Sequence, residues 1–136
     1  MNISHVEHIG VAVKNLEEAI SFWKEKLGID LYKTEEVAEQ KVRIAFFKIG
    51  QTKIELLEST TPDGPIAKFI EKNGPGIQHV ALAVTDLQGN LDELAGKGVS
   101  LIDKSPRKGA DGLDIAFVHP KSAGFLLELC EDPKLK

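Results

Sequence analysis

The sequence predicts an α+β fold built from two tandem β-α-β-β-β modules, and three observations predict it. The first is an internal repeat. Val6-Glu7-His8-Ile9-Gly10-Val11-Ala12-Val13 is restated as Ile77-Gln78-His79-Val80-Ala81-Leu82-Ala83-Val84, with His8 falling on His79 at an offset of 71 residues. The offset holds where Ile44-Ala45-Phe46 meets Ile115-Ala116-Phe117, and becomes 73 where Ile54-Glu55-Leu56-Leu57-Glu58 meets Leu127-Glu128-Leu129-Cys130-Glu131. The second observation is period-two alternation in the opening stretch of each copy, the mark of a strand with one buried face. The third is a capped, amphipathic helix directly after each of those strands. A repeat this long is not a solenoid period, so two copies of one module is the reading.

In chain order, residues 5–13 place Ile9, Val11 and Val13 on one face with Glu7, and Val6, His8, Gly10 and Ala12 on the other. Asn15 followed by Glu18 forms a capping box, and Leu16, Ala19, Ile20, Trp23 and Leu27 recur at helical spacing until Gly28. Strands are expected over 29–33, 42–49 and 53–57, the last two joined by a turn at Gly50-Gln51-Thr52. Pro62-Asp63-Gly64-Pro65 starts a short helix over 66–72, which Asn73-Gly74-Pro75-Gly76 breaks.

The second module opens with Val80, Leu82 and Val84 facing away from His79, Ala81 and Ala83. Asp86 caps a helix with Leu87, Leu91, Leu94 and Ala95 as its apolar stripe and Gly98 as its terminator, while Gly89 and Gly96 weaken it. Strands are expected over 100–103, 114–119 and 124–130, with Pro120-Lys121-Ser122-Ala123 turning the final hairpin. The domain organisation read from this is one domain over 1–136: a first module at about 5–58, a linker helix at about 62–75 and a second module at about 76–131.

A chain of 136 residues is long enough to bury one proper core. No run of eighteen apolar residues occurs, residues 1–4 lack signal-peptide features, and the single Cys130 cannot form an internal disulfide. A cytoplasmic protein is expected. The net charge of −4 gives no support to nucleic-acid binding. An anionic small molecule would need positive charge supplied locally, by a cation or a few basic side chains.

The chemistry follows from strand parity. Phe125, Leu127 and Leu129 share a face, so Glu128 lies opposite with Leu126 and Cys130; Ile54 and Leu56 share a face, so Glu55 lies opposite. An acid in mid-strand between bulky aliphatics is costly unless it is paired or binds a metal. Each residue alone has a bland reading, a half-buried histidine or an edge glutamate. Matched parity at equivalent points of a repeat instead gives a His2Glu2 metal set: His8, Glu55, His79 and Glu128. Nitrogen and oxygen donors without thiolate suit a first-row divalent ion, with Co2+, Ni2+, Mn2+ and Zn2+ all open. Four such ligands leave two octahedral positions for substrate.

His5 precedes the repeat, and His119 stands before Pro120, where capping or solvent contact is the default. The basic run Lys104-Ser105-Pro106-Arg107-Lys108-Gly109 reads first as a solvated loop and second as a contact for ligand phosphates or carboxylate. Glu35, Glu36 and Glu39 read as a solvated strand or loop.

These paired modules, with His8, Glu55, His79 and Glu128, resemble the vicinal oxygen chelate superfamily, whose modules form a cupped mixed sheet around a metal. More narrowly, Asp63-Gly64-Pro65-Ile66-Ala67-Lys68-Phe69-Ile70, the stretch 76–80, and His119-Pro120-Lys121-Ser122-Ala123-Gly124 leading into Leu127-Glu128-Leu129 resemble the methylmalonyl-CoA epimerases. The resemblance implies a metal-dependent isomerase interconverting (2R)- and (2S)-methylmalonyl-CoA by C2 proton abstraction through a metal-stabilised enolate, with Glu128 as a catalytic base. It implies a CoA thioester as partner and a homodimer, without nucleic acid or membrane.

The family's second base falls on the strand written here Val42-Arg43-Ile44-Ala45, which offers no acid. The segment 35–40, Glu55 or a water would have to supply it. A glyoxalase I, a lactoylglutathione lyase acting on a hemithioacetal, is the alternative, and a non-catalytic sequestering protein of the same fold is the third reading.

Overall fold

The computed structural model describes residues 1–135, and it divides into two compact units: His8–Gln78, and Met1–Glu7 together with the residues from His79 onward. In the first unit the strands are β1 (Ile3–Ala12, from His8), β2 (Leu31–Val37), β3 (Val42–Ile49) and β4 (Thr52–Ser59). They lie in the order β2-β3-β4-β1, with β1 parallel to β4 and the other pairs antiparallel. Helix α1 (Leu16–Ser21) covers one face, where Leu16 and Trp23 pack with Ala45, Phe47 and Leu56. Helix α2 (Pro65–Asn73) follows β4 and ends at Gly74, whose φ of 78° is a conformation glycine adopts without strain.

In the second unit β5 (Gly76–Val84, from His79), β6 (Arg107–Lys108), β7 (Asp114–Val118) and β8 (Leu126–Glu131) lie in the order β5-β8-β7-β6. Again one pair, β5 with β8, is parallel and the rest antiparallel. Helix α3 (Leu87–Gly96) packs Leu87 and Leu91 against Val84, Ala116, Val118 and Leu129. A four-residue helix, α4 (Pro120–Ala123), turns the β7–β8 hairpin. The expected α+β arrangement of two β-α-β-β-β modules is therefore observed.

Three local expectations are corrected. The first helix does not stay α-helical to Gly28: residues Phe22–Lys26 form a π turn in which the Leu27 N–H donates to the Phe22 carbonyl at 3.1 Å. The wider turn takes Leu27 off the apolar stripe and leaves it 49% exposed. The second is Ala95, expected on the α3 stripe and found exposed. The third is the strand at 100–103, where only a single bridge, Leu101 to Val118, forms. There the Asp103 side chain, rather than a backbone carbonyl, accepts the Phe117 N–H at 2.9 Å, and the edge strand forms instead at Arg107–Lys108.

Among the described residues no helix is long and apolar enough to cross a membrane.

Candidate metal and proton-transfer site

Each unit presents the same pair on the sheet face turned away from its helix. In the first, β1 and β4 run parallel with Gly10 beside Glu55, and Phe46 of β3 lies directly across from Glu55. Period-two parity then puts His8, Gly10 and Ala12 on the face of Glu55. The His8 Nδ1 lies 3.2 Å from Glu55 Oε2. In the second, Ala81 stands beside Glu128 and Phe117 lies across from it. The His79 Nε2 lies 3.4 Å from Glu128 Oε1. Small neighbours at Gly10 and Ala81 keep that strand from overhanging either acid.

All four residues are buried, between 3% and 6% exposed. Burial strengthens each electrostatic contact and raises the cost of leaving a charge uncompensated. Within each unit, an imidazole nitrogen and a carboxylate oxygen on one sheet face are donors of the kind that suit a divalent first-row ion. The His79 ring is further fixed by the Phe117 ring, edge to face at 5.9 Å between centroids and 86° between planes.

The remaining sequence candidates sort differently. His5 is half-buried and lies 2.8 Å from the Ser4 hydroxyl, and His119 caps α4 by accepting the Lys121 N–H at 3.0 Å. Cys130 is buried and its thiol donates to the Leu82 carbonyl at 3.5 Å. On the strand Val42-Arg43-Ile44-Ala45, which offers no acid, Ile44 is buried. Its cross-strand partner is Glu35, half-buried and 3.5 Å from the Lys33 ammonium, and parity places Glu35 on the face of Glu55. Glu36 is exposed on β2, and Glu39 lies in the turn that follows.

Sequence reasoning missed two acids. Glu58 accepts the Leu16 N–H at 3.1 Å at the start of α1, and Glu131 accepts the N–H groups of Asp86 and Leu87 at 2.9 and 3.1 Å at the start of α3. The signal was present, because Glu58 and Glu131 are themselves matched by the repeat. Lys53, also buried, shares the face of Glu55 and His8 and was not singled out.

Residues 7–117 match the family described as the glyoxalase/bleomycin resistance protein/dioxygenase superfamily. The chain is 43% identical over 130 residues to the uncharacterised protein YqjC of Bacillus subtilis (strain 168), covering 95% of this chain and 93% of that one. It is 35% identical to the mitochondrial methylmalonyl-CoA epimerase of Dictyostelium discoideum, covering 96% and 80%. A solved methylmalonyl-CoA epimerase in complex with methylmalonyl-CoA and NH4+ superposes with a TM-score of 0.93 at 33% identity, covering 98% of both chains. The chain therefore belongs to the glyoxalase superfamily and, within it, to the methylmalonyl-CoA epimerase family.

Proposed function

We propose that this chain is a divalent-metal-dependent epimerase that interconverts (2R)- and (2S)-methylmalonyl-CoA, with His8, Glu55, His79 and Glu128 as metal ligands. The observation that carries the reading is the buried His–Glu pair, present once in each module at 3.2 and 3.4 Å. Similarity to an epimerase solved with its substrate supports a CoA thioester as the small molecule bound.

The substrate carbon C2 lies between a thioester carbonyl and a carboxylate. Glu128 takes the C2 proton, and the electron pair of the broken C–H bond moves to the thioester carbonyl oxygen. A water on the opposite face, or Glu35 or Glu55, returns a proton to C2 there and Glu128 gives its proton up to solvent, so the other epimer forms with no net oxidation or reduction. A divalent cation, which His8, Glu55, His79 and Glu128 would hold, would supply Lewis acidity toward the thioester carbonyl oxygen. His79 orients the Glu128 carboxylate, and the dry sheet face keeps bulk water from competing for the proton. We assign Co2+ as the working metal, place the enzyme in the cytoplasm and expect a homodimer.

The test is proton exchange at C2. Incubation of the cobalt-loaded protein with methylmalonyl-CoA in heavy water should incorporate deuterium at C2 and interconvert the epimers. Turnover of methylglyoxal with glutathione, and none of the thioester, would assign the lyase instead. Binding of the thioester without exchange would favour sequestration.

A further inference from the structure

Arg107 is a residue of the basic run that the fold prepares for an anion. Lys108, its neighbour, is neutralised by Asp114 at 2.7 Å. The guanidinium of Arg107 lies over the Phe117 ring, 5.4 Å from its centroid, and its Nε donates to Asp103 Oδ1 at 3.1 Å. The other oxygen of Asp103 accepts the Phe117 backbone N–H at 2.9 Å. One carboxylate thus fixes both the ring and the fork above it. The two terminal nitrogens of Arg107 donate to no protein group among the described residues, and the side chain is 45% exposed. A planar fork held by stacking and by its Nε, with both outer amines free, is arranged to take a carboxylate or phosphate bidentately.

Its position narrows the choice of anion. Phe117 lies directly across the β7–β8 ladder from Glu128, and its ring also meets the His79 imidazole. Directly opposed residues of an antiparallel pair stand about 5 Å apart. The fork is therefore separated by one aromatic ring from the pair assigned to proton transfer. In an acyl-CoA with a malonyl-type head, the carboxylate is bonded to the carbon that loses its proton, whereas the phosphates lie at the far end of the pantetheine arm.

We propose that Arg107 binds the free carboxylate of the substrate and so selects 2-carboxyacyl-CoA thioesters over simple acyl-CoAs. The assignment rests on the epimerase reading and adds to it a specificity residue outside the metal ligands. Pairing with the guanidinium also neutralises the carboxylate, which makes the adjacent C–H a stronger acid.

The experiment measures equilibrium binding of methylmalonyl-CoA and of propionyl-CoA, which lacks the carboxylate, to cobalt-loaded wild type, Arg107→Ala and Arg107→Lys. Loss of a charge-assisted bidentate contact should weaken methylmalonyl-CoA binding to Arg107→Ala by roughly 10- to 100-fold. Propionyl-CoA binding should stay within about threefold of wild type, well under one contact's worth. Arg107→Lys should recover part of the affinity for methylmalonyl-CoA only, since a point charge replaces the fork. Equal losses for both thioesters would assign the fork to the phosphates and overturn the proposal, as would affinities that do not change. Circular dichroism of both variants separates these outcomes from misfolding. Deuterium exchange by wild type judges the epimerase reading separately: its absence would remove that reading, while the binding ratio would still decide what Arg107 recognises.

Discussion

The Glu131 carboxylate accepts the Leu87 backbone N–H at 3.1 Å, holding the end of β8 to the first turn of α3. Its other oxygen takes the Asp86 N–H at 2.9 Å, so one buried acid satisfies two amides that the helix itself leaves orphaned. Glu131→Ala strands the buried Leu87 donor away from water, while the more open Asp86 N–H can turn to solvent. It should cost about 2 kcal/mol, since a buried unsatisfied donor costs about 1–3 kcal/mol. Glu58→Ala removes the equivalent cap from α1, but Glu58 is more exposed and water can replace it. The expected loss there is about 1 kcal/mol or less. Urea denaturation of the two variants checks the order, and equal losses would contradict it.

Glu128→Gln keeps the shape of the side chain and removes its basicity. With the carboxylate placed against His79 at 3.4 Å, exchange at C2 should fall roughly 100- to 10,000-fold, the usual worth of a general base. Circular dichroism of the metal-free variant should match that of metal-free wild type, because the fold persists without the carboxylate. Wild-type exchange rates in this variant would eliminate Glu128 as the base.

How much of this was legible in the sequence depends on the residue. Parity in a strand is rigid, so period-two alternation and the repeat put His8, Glu55, His79 and Glu128 on the faces away from the helices, whereas which histidine lies beside which acid depends on the parallel β1–β4 and β5–β8 ladders. The π turn at Phe22–Lys26 was not legible, because Leu27 fits an α-helical stripe equally well until the hydrogen bond to Phe22 is seen. The edge strand was displaced from 100–103 to Arg107–Lys108 because a side chain, Asp103, replaced a ladder bond, and hydrophobic pattern carries no trace of such a substitution. The same event hid Arg107, which in sequence is one cation among several in a solvated run.

His79→Ala removes one proposed ligand from a buried position. Metal analysis of the purified variant should show the divalent ion reduced to background, whereas His119→Ala, which loses only a cap of α4, should keep it. Chelation of wild type should lower its thermal midpoint, and added Co2+ should raise it again with ion concentration, because an ion that binds only the folded state stabilises by mass action. Full metal content in His79→Ala would remove it from the ligand set.

Asp63 titrates far below its ordinary value of 3.8, at about 2, because it accepts the Thr61 hydroxyl at 2.7 Å and the Lys41 ammonium at 2.9 Å. A carboxyl whose folded pKa is depressed stabilises the fold above its unfolded pKa, and loses that contribution as pH falls from about 4 towards about 2. An NMR titration should give a midpoint near the lower figure in wild type and a midpoint moved upward in Lys41→Ala. A wild-type midpoint at the ordinary value would discard the contact.

The two glycines of α3 should respond to alanine with opposite signs. A Cβ at Gly89 would overlap Asp86 Oδ2, the carboxylate whose other oxygen caps the Gly89 N–H at 3.2 Å. The Asp86 carboxylate must swing away to admit the Cβ, so Gly89→Ala breaks the cap. Losing an N-cap costs about 1 kcal/mol, which outweighs alanine's advantage in the first turn, smaller there than the roughly 1 kcal/mol of a helix interior. At Gly96 a Cβ meets nothing within 4 Å. Gly96→Ala therefore gains helix propensity without a clash, and should stabilise by about 0.5 kcal/mol at this terminal position. Thermal midpoints that move down for Gly89→Ala and up for Gly96→Ala are the expected result. Two upward shifts would mean that the Glu131 carboxylate alone suffices to start the helix.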